Sequence, residues 1–315
     1  MKSDTNSGPN SGPVLRGRHK PQGPVGLRRD AEKISGALPP LLAEAEHLAA
    51  TVAMGVHGRR RAGQGETFWQ YRQAMPGDAR SAVDWRRSGR SDAQFIREME
   101  WEAAQTVSFW ADDALSMDYR GPDSERSKGE RAALIALAMS VLLVKSGERV
   151  ALMGGAAAQA RGGRAQLNRM ALELAGARRD DRPDYGAPPP DQFARGGRAV
   201  FLSDFLGPLE GLSPALARAA DQGVRGVFVQ VLDESEEAFP FDGRLVFESM
   251  GGGLRYETQR ARGLREAYRA RLAARRQELS ELAARLGWRV MFHRTSQSPR
   301  AALLWLYMAI GPERG

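Results

Sequence analysis

Apolar residues recur along this chain with two periods, and the two alternate. Residues 38–56 (LPPLLAEAEHLAATVAMGV) set Leu41, Leu42, Ala45, Leu48 and Val52 on one side at helical spacing and predict a helix. Residues 65–71 and 93–101 read as strands around a turn-rich middle, where Pro76-Gly77 supplies the two central residues of a type II turn. From residue 106 onward, short and continuously apolar runs predict strands at residues 106–111, 149–153, 199–202, 226–232 and 289–293. Helical periodicity fills the intervals at residues 128–145, 165–175, 214–222 and 257–286. Strand alternating with helix sets the fold class as α/β, a mainly parallel sheet with helices on both faces. Residues 244–249 and 254–258 flank Met250-Gly251-Gly252-Gly253 and predict a hairpin. This hairpin is expected to join the two earlier strands in a small β subdomain.

The first 35 residues stand outside the pattern. They carry five Gly, four Pro and few large apolar side chains, and are expected to form a disordered basic tail. Seven Lys or Arg against three Asp or Glu give this tail +4 of the net +8, which leaves +4 for the other 280 residues. Charge so distributed argues against a nucleic-acid-binding body. Only five of the 46 basic residues are Lys, a preference that reads as genomic base composition in a chain also rich in Ala and Gly. The chain has no cysteine, which excludes disulfides, thiolate metal sites and cysteine nucleophiles, and a cytoplasmic location is the simplest expectation. No secretory signal is apparent, and the longest apolar runs, residues 132–144 and 301–310, are shorter than the ~20 residues of a membrane span.

In an open α/β sheet the ligand crevice lies at the carboxyl ends of the strands. Two predicted strands end in acid there: Asp112-Asp113-Ala114-Leu115-Ser116-Met117 follows the first, and Ser203-Asp204-Phe205 follows a later one. If the two strands are neighbours, carboxylates and a hydroxyl converge on one point, a donor set that suits Mg²⁺ or Mn²⁺. The structural alternative is that Asp112 caps the next element and Asp204 ends its strand. Upstream, Arg72, Asp78, Arg80, Asp84 and Arg86 alternate in sign around the Pro76-Gly77 turn. They read either as an internal salt-bridge network or as a docking surface, and Trp85 with the fixed turn favours a packed structural element. Arg59-Arg60-Arg61 reads as a solvated edge, and residues 257–286 as a core-packing amphipathic helix. The four histidines are scattered, and neither a His-Glu-x-x-His nor a Gly-x-Ser-x-Gly motif occurs.

Taken in order, several motifs form one signature: Gly65-Glu66-Thr67-Phe68, Arg72, Met75-Pro76-Gly77-Asp78-Ala79-Arg80, Val83-Asp84-Trp85-Arg86-Arg87-Ser88, residues 112–117, Lys128-Gly129-Glu130-Arg131-Ala132, Gly147-Glu148-Arg149-Val150, Leu202-Ser203-Asp204-Phe205-Leu206 and Val231-Leu232-Asp233. Across about residues 50–310 the chain resembles the bacterial domain of unknown function fifty-eight. The resemblance implies a von Willebrand factor A-like, doubly wound domain, over residues 106–239 and 259–312, and the residue pattern adds the β subdomain at 57–105 and 240–258 and the helix at 36–56. It also implies an adaptor or co-chaperone encoded beside a MoxR-type AAA+ ATPase, non-enzymatic, binding an acidic side chain of a protein ligand through a divalent ion. The adhesion motif of such domains is Asp-x-Ser-x-Ser, and here Asp112, Ala114 and Ser116 take those places. Ala114 offers no oxygen, so Asp112, Ser116 and Asp204, with Asp113 as a further candidate, are expected to hold Mg²⁺ or Mn²⁺ only weakly. The motif around Arg72, Gly77, Asp78, Arg80, Asp84 and Trp85 is the second candidate region. Two other function classes remain: a Mg²⁺-dependent phosphohydrolase with Asp112 as nucleophile, which Ala114 deprives of its general acid, and a nucleic-acid binder acting through the tail and Arg59-Arg60-Arg61.

Overall fold

The structure is a computed structural model. It describes residues 39–56, 67–75, 83–89, 94–100, 104–176, 181–191, 193–249, 251–253 and 255–310. The N-terminal tail, the Pro76-Gly77 turn and Arg59-Arg60-Arg61 therefore lie outside the described residues.

Five parallel strands form the central sheet: β3 (Thr106–Ala111), β4 (Arg149–Leu152), β5 (Arg198–Ser203), β6 (Arg225–Leu232) and β9 (Arg289–Arg294), in the order β4-β3-β5-β6-β9. Their continuous apolar runs have the physical cause expected of strands buried on both faces. On one face lie α3 (Lys128–Lys145), α4 (Arg164–Leu174) and α8 (Pro299–Ile310), which share a core with Val107, Phe109, Val200, Leu202, Val227 and Val229. On the other lie α5 (Ser213–Asp221) and α7 (Arg265–Leu286), packed with Phe201, Phe228 and Trp288. Those three rings meet at centroid distances of 5.0–5.9 Å, in tilted and edge-on contacts that add to the burial of their area.

Helix α3 is buried on nearly every side, Lys128 and Arg131 included. An outer helix explains this: α1 (Pro39–Val56) packs along α3, α4 and α8 through Leu42, Ala45, Leu48, Ala49 and Val52. Arg126 to Glu44 (2.7 Å) and Arg164 to Glu46 (2.6 Å) add ion pairs at its margin, each worth under about 1 kcal/mol at such exposure. Ser127 starts α3 in a capping box, its Oγ accepting from Glu130 N at 3.2 Å while the Glu130 carboxylate accepts from Ser127 N at 2.8 Å.

Two features differ from the sequence expectation. Among the described residues, β1 (Thr67–Gln73) with β2 (Phe95–Glu100) and β7 (Leu245–Glu248) with β8 (Arg255–Thr258) form separate two-stranded antiparallel sheets, not one joint sheet. The long helix begins at Arg265 rather than at residue 257, because β8 occupies residues 255–258 and a 3₁₀ turn follows at Ala261–Leu264. The Ala261 amide is taken by Gly243 O (2.9 Å), so the hairpin base holds this stretch out of a helix. The core reading of α7 stands, with Leu272, Leu279 and Ala283 buried.

Candidate functional site

Strand order reverses between β4 and β5, which leave β3 on opposite sides, so the crevice at the carboxyl end lies between β3 and β5. The two acidic strand ends do meet there. Ser203 Oγ donates to Asp112 Oδ2 at 2.6 Å, and Ala114 N donates to Asp112 Oδ1 at 2.9 Å. Asp204 Oδ1 accepts from Leu206 N at 3.0 Å, and the left-handed backbone of Phe205 (φ 50°) makes the turn between them. The other Asp204 oxygen accepts from the Lys128 ammonium at 2.9 Å, and the same ammonium donates to Glu236 Oε1 at 2.7 Å. Glu236 belongs to α6 (Glu234–Ala238), the short helix after β6, whose N-cap is Asp233.

This centre is closed. Asp112 is 3% exposed, Asp204 1% and Lys128 1%. Residues 183–186 run across it: the Leu115 and Ser116 amides donate to Pro183 O and Asp184 O, both at 2.9 Å. A Cβ on Gly186 would fall 2.0 Å from Asp112 Oδ1, so only glycine lets the backbone pass this close to the carboxylate. Burial pushes Asp112 up to about 6, against the hydrogen bonds from Ser203 and Ala114 and with help from the nearby Asp204 charge. For Lys128, burial opposes the charge, but the Asp204 and Glu236 carboxylates more than offset it and hold the ammonium above its ordinary range. Beside this centre Asp233 collects hydroxyl donors: Thr295 Oγ1 at 3.0 Å, Ser235 Oγ at 2.7 Å, and Ser124 Oγ.

Of the expected metal ligands, Asp112 and Asp204 sit side by side, while Ser116 lies in a 3₁₀ turn (Leu115–Asp118) with its hydroxyl buried and without a hydrogen-bond partner. Asp113 faces solvent. No group of three or more His, Asp or Glu among the described residues is arranged to hold a metal ion. The donor set does not fit Mg²⁺ or Mn²⁺: Asp112 is engaged by Ser203, Asp204 by an ammonium, and residues 183–186 close the approach. Asp112 as a phosphoryl nucleophile meets the same closure. Lys128 opens one of the motifs that carry the resemblance but was not named as a site residue, and Glu236 was not noted at all. One signal was available, since Lys128 is a lysine in a chain whose basic residues are nearly all Arg, at the start of a helix whose middle is apolar.

The upstream motif is placed in part. Arg72 lies in β1, in register with Ile96 of β2, and Gly77, Asp78 and Arg80 lie outside the described residues. Asp84 starts the short helix α2 (Trp85–Ser88): its Oδ1 accepts from Arg86 N at 3.1 Å and its carbonyl from Ser88 N at 3.0 Å. Its own amide donates to Phe95 O at 2.9 Å, which ties α2 to β2. Trp85 departs from the expected packed element, since it is 58% exposed. Met75, 68% exposed, follows Ala74, whose amide donates to Gln94 O beside the same attachment.

The family model described as "Protein of unknown function DUF58" matches residues 70–278, the stretch that contains both candidate regions. The chain belongs to this family. Among similar proteins, the uncharacterized proteins Rv1480 of Mycobacterium tuberculosis and Mb1516 of Mycobacterium bovis are each 28% identical over 271 residues, covering 82% of this chain and 84% of theirs. The crystal structure of the conserved hypothetical protein BatB from Bacteroides thetaiotaomicron aligns with 66% of this chain and 98% of its own, at 12% identity and a TM-score of 0.33. Among the described residues, no helix of this DUF58 protein is long and apolar enough to cross a membrane.

Proposed function

We propose that this DUF58 protein is a non-enzymatic adaptor or co-chaperone with a von Willebrand factor A-like domain, which docks onto a MoxR-type AAA+ ATPase. The docking surface in this reading is α2 and its flank, with Trp85 as the anchor and Arg86 facing an acidic side chain of the partner. The observation that carries it is the exposure of Trp85, 58%, on a helix that Asp84 and Ser88 fix to β2. A large aromatic held at the surface by a rigid element loses little entropy on binding, and Trp and Arg dominate interface hot spots. The acidic centre supports the same reading from the other side. Its carboxylates are spent on Ser203 and Lys128, so docking proceeds without a divalent ion.

The test is the affinity of the full chain for a MoxR-type AAA+ ATPase, measured by biolayer interferometry in EDTA. Trp85→Ala should weaken binding by about tenfold or more, about 1.4 kcal/mol, while Asp112→Asn leaves it unchanged. Equal binding by Trp85→Ala and the parent chain would sink the reading.

A further inference from the structure

We propose that the Lys128 ammonium is a resident cation that fills the place of a divalent ion at this sheet edge. The chain as it stands then excludes divalent metals, and removing the ammonium creates a site for them. The inference is independent of the Trp85 docking reading.

Three observations carry it. The first is geometric: Nζ lies 2.9 Å from Asp204, just after β5, and 2.7 Å from Glu236, in α6 after β6, with the Tyr119 ring 5.7 Å away. One cation thus gathers β5, α6 and the start of α3, as a metal ion would. The second is the charge balance. Asp204 and Glu236 bring two negative charges into a centre where Lys128 is 1% exposed, and the ammonium supplies one positive charge. A divalent ion beside it would meet direct repulsion at low dielectric, whereas the same ion in its place would see the two carboxylates. Third, an uncommitted oxygen is already present, since the Ser116 hydroxyl is buried without a hydrogen-bond partner on the edge that carries Asp112. The residue type fits the task as well. An ammonium is a compact point charge with rotatable donors, and lysine stands here although most of the basic residues in the chain are arginine.

The probe is Mn²⁺, titrated into the full chain and followed by loss of the free-ion paramagnetic resonance signal, with the melting temperature as a second readout. The parent chain should show no saturable binding up to about 1 mM, the weak end of protein sites for hard cations. Lys128→Met should bind one Mn²⁺ per chain at least about tenfold more tightly and melt higher with Mn²⁺ than without it, since a ligand held only by the folded state stabilises it. Both effects should vanish in Lys128→Met/Asp204→Asn. Lys128→Gln, which retains a donor to the carboxylates, carries the same test where Lys128→Met does not fold. Stoichiometric Mn²⁺ binding by the parent chain that Asp204→Asn abolishes would overturn the proposal. So would a folded Lys128 variant that binds Mn²⁺ no better than the parent.

Discussion

His293 and Asp112 are buried titratable groups that pull the pH dependence of stability in opposite directions. His293, in β9 opposite Val231, is 2% exposed, and its Nε2 has no hydrogen-bond partner. Burial, together with the nearby Arg131 guanidinium, pushes it down from 6.5 to about 4. Below pH 6.5 the unfolded chain binds a proton that the folded chain refuses, so the stability present above that pH is lost as the pH falls towards 4. At about 1.4 kcal/mol for each pH unit, this loss amounts to about 3 kcal/mol. Asp112 has the opposite sign. Its folded value of about 6 lies above 3.8, so the folded state takes the proton first; this contribution is full below 3.8 and is lost as the pH rises through 6. It too amounts to about 3 kcal/mol, and between about pH 4 and pH 6 the two contributions nearly cancel. Urea unfolding followed by tryptophan fluorescence, repeated from about pH 4 to about pH 7, resolves them. Relative to the parent chain, His293→Leu should gain about 3 kcal/mol on going from pH 7 to pH 4, and Asp112→Asn should lose about as much. Curves for both variants that run parallel to the parent would refute the reasoning.

Other substitutions test the packing. Phe228→Ala empties a fully buried position among Phe201, Phe205 and Trp288, and should cost about 3–5 kcal/mol in urea unfolding. Gly226→Ala places a methyl 2.6 Å from the Trp288 ring and should cost about 1–3 kcal/mol, visible as a lower melting temperature. Ser127→Ala removes one half of the capping box of α3 and should cost about 1 kcal/mol, measured the same way.

The parallel sheet was legible because each strand is a mostly apolar run, and α3 because helical periodicity runs through residues 128–145. Residues 257–264 read as helix from their side chains, yet Thr258 pairs with Leu245 and the Ala261 amide donates to Gly243 O, partners that no local pattern displays. The convergence of Asp112 with Ser203 was visible in the strand ends. Its closure was not, since Lys128 reaches carboxylates 76 and 108 residues away and residues 183–186 return over the edge from a separate loop. Trp85 was read as packed because a tryptophan close to a fixed Pro-Gly turn suggests a packed element. Its exposure follows from α2 being a single short turn tied down by its backbone and by Ser88, which leaves the ring outward.

The most direct test of the docking claim is site-specific photocrosslinking, with p-benzoylphenylalanine placed at position 85 in one sample and at position 185 in another. Tyr185, 40% exposed, stands over the sheet edge near Asp204, and Trp85 stands on α2. The expected result is a crosslink to the MoxR-type ATPase from position 85 in the presence of EDTA, with none from position 185. A crosslink from position 185 alone, lost in EDTA, would contradict it and return the docking site to a metal at the sheet edge.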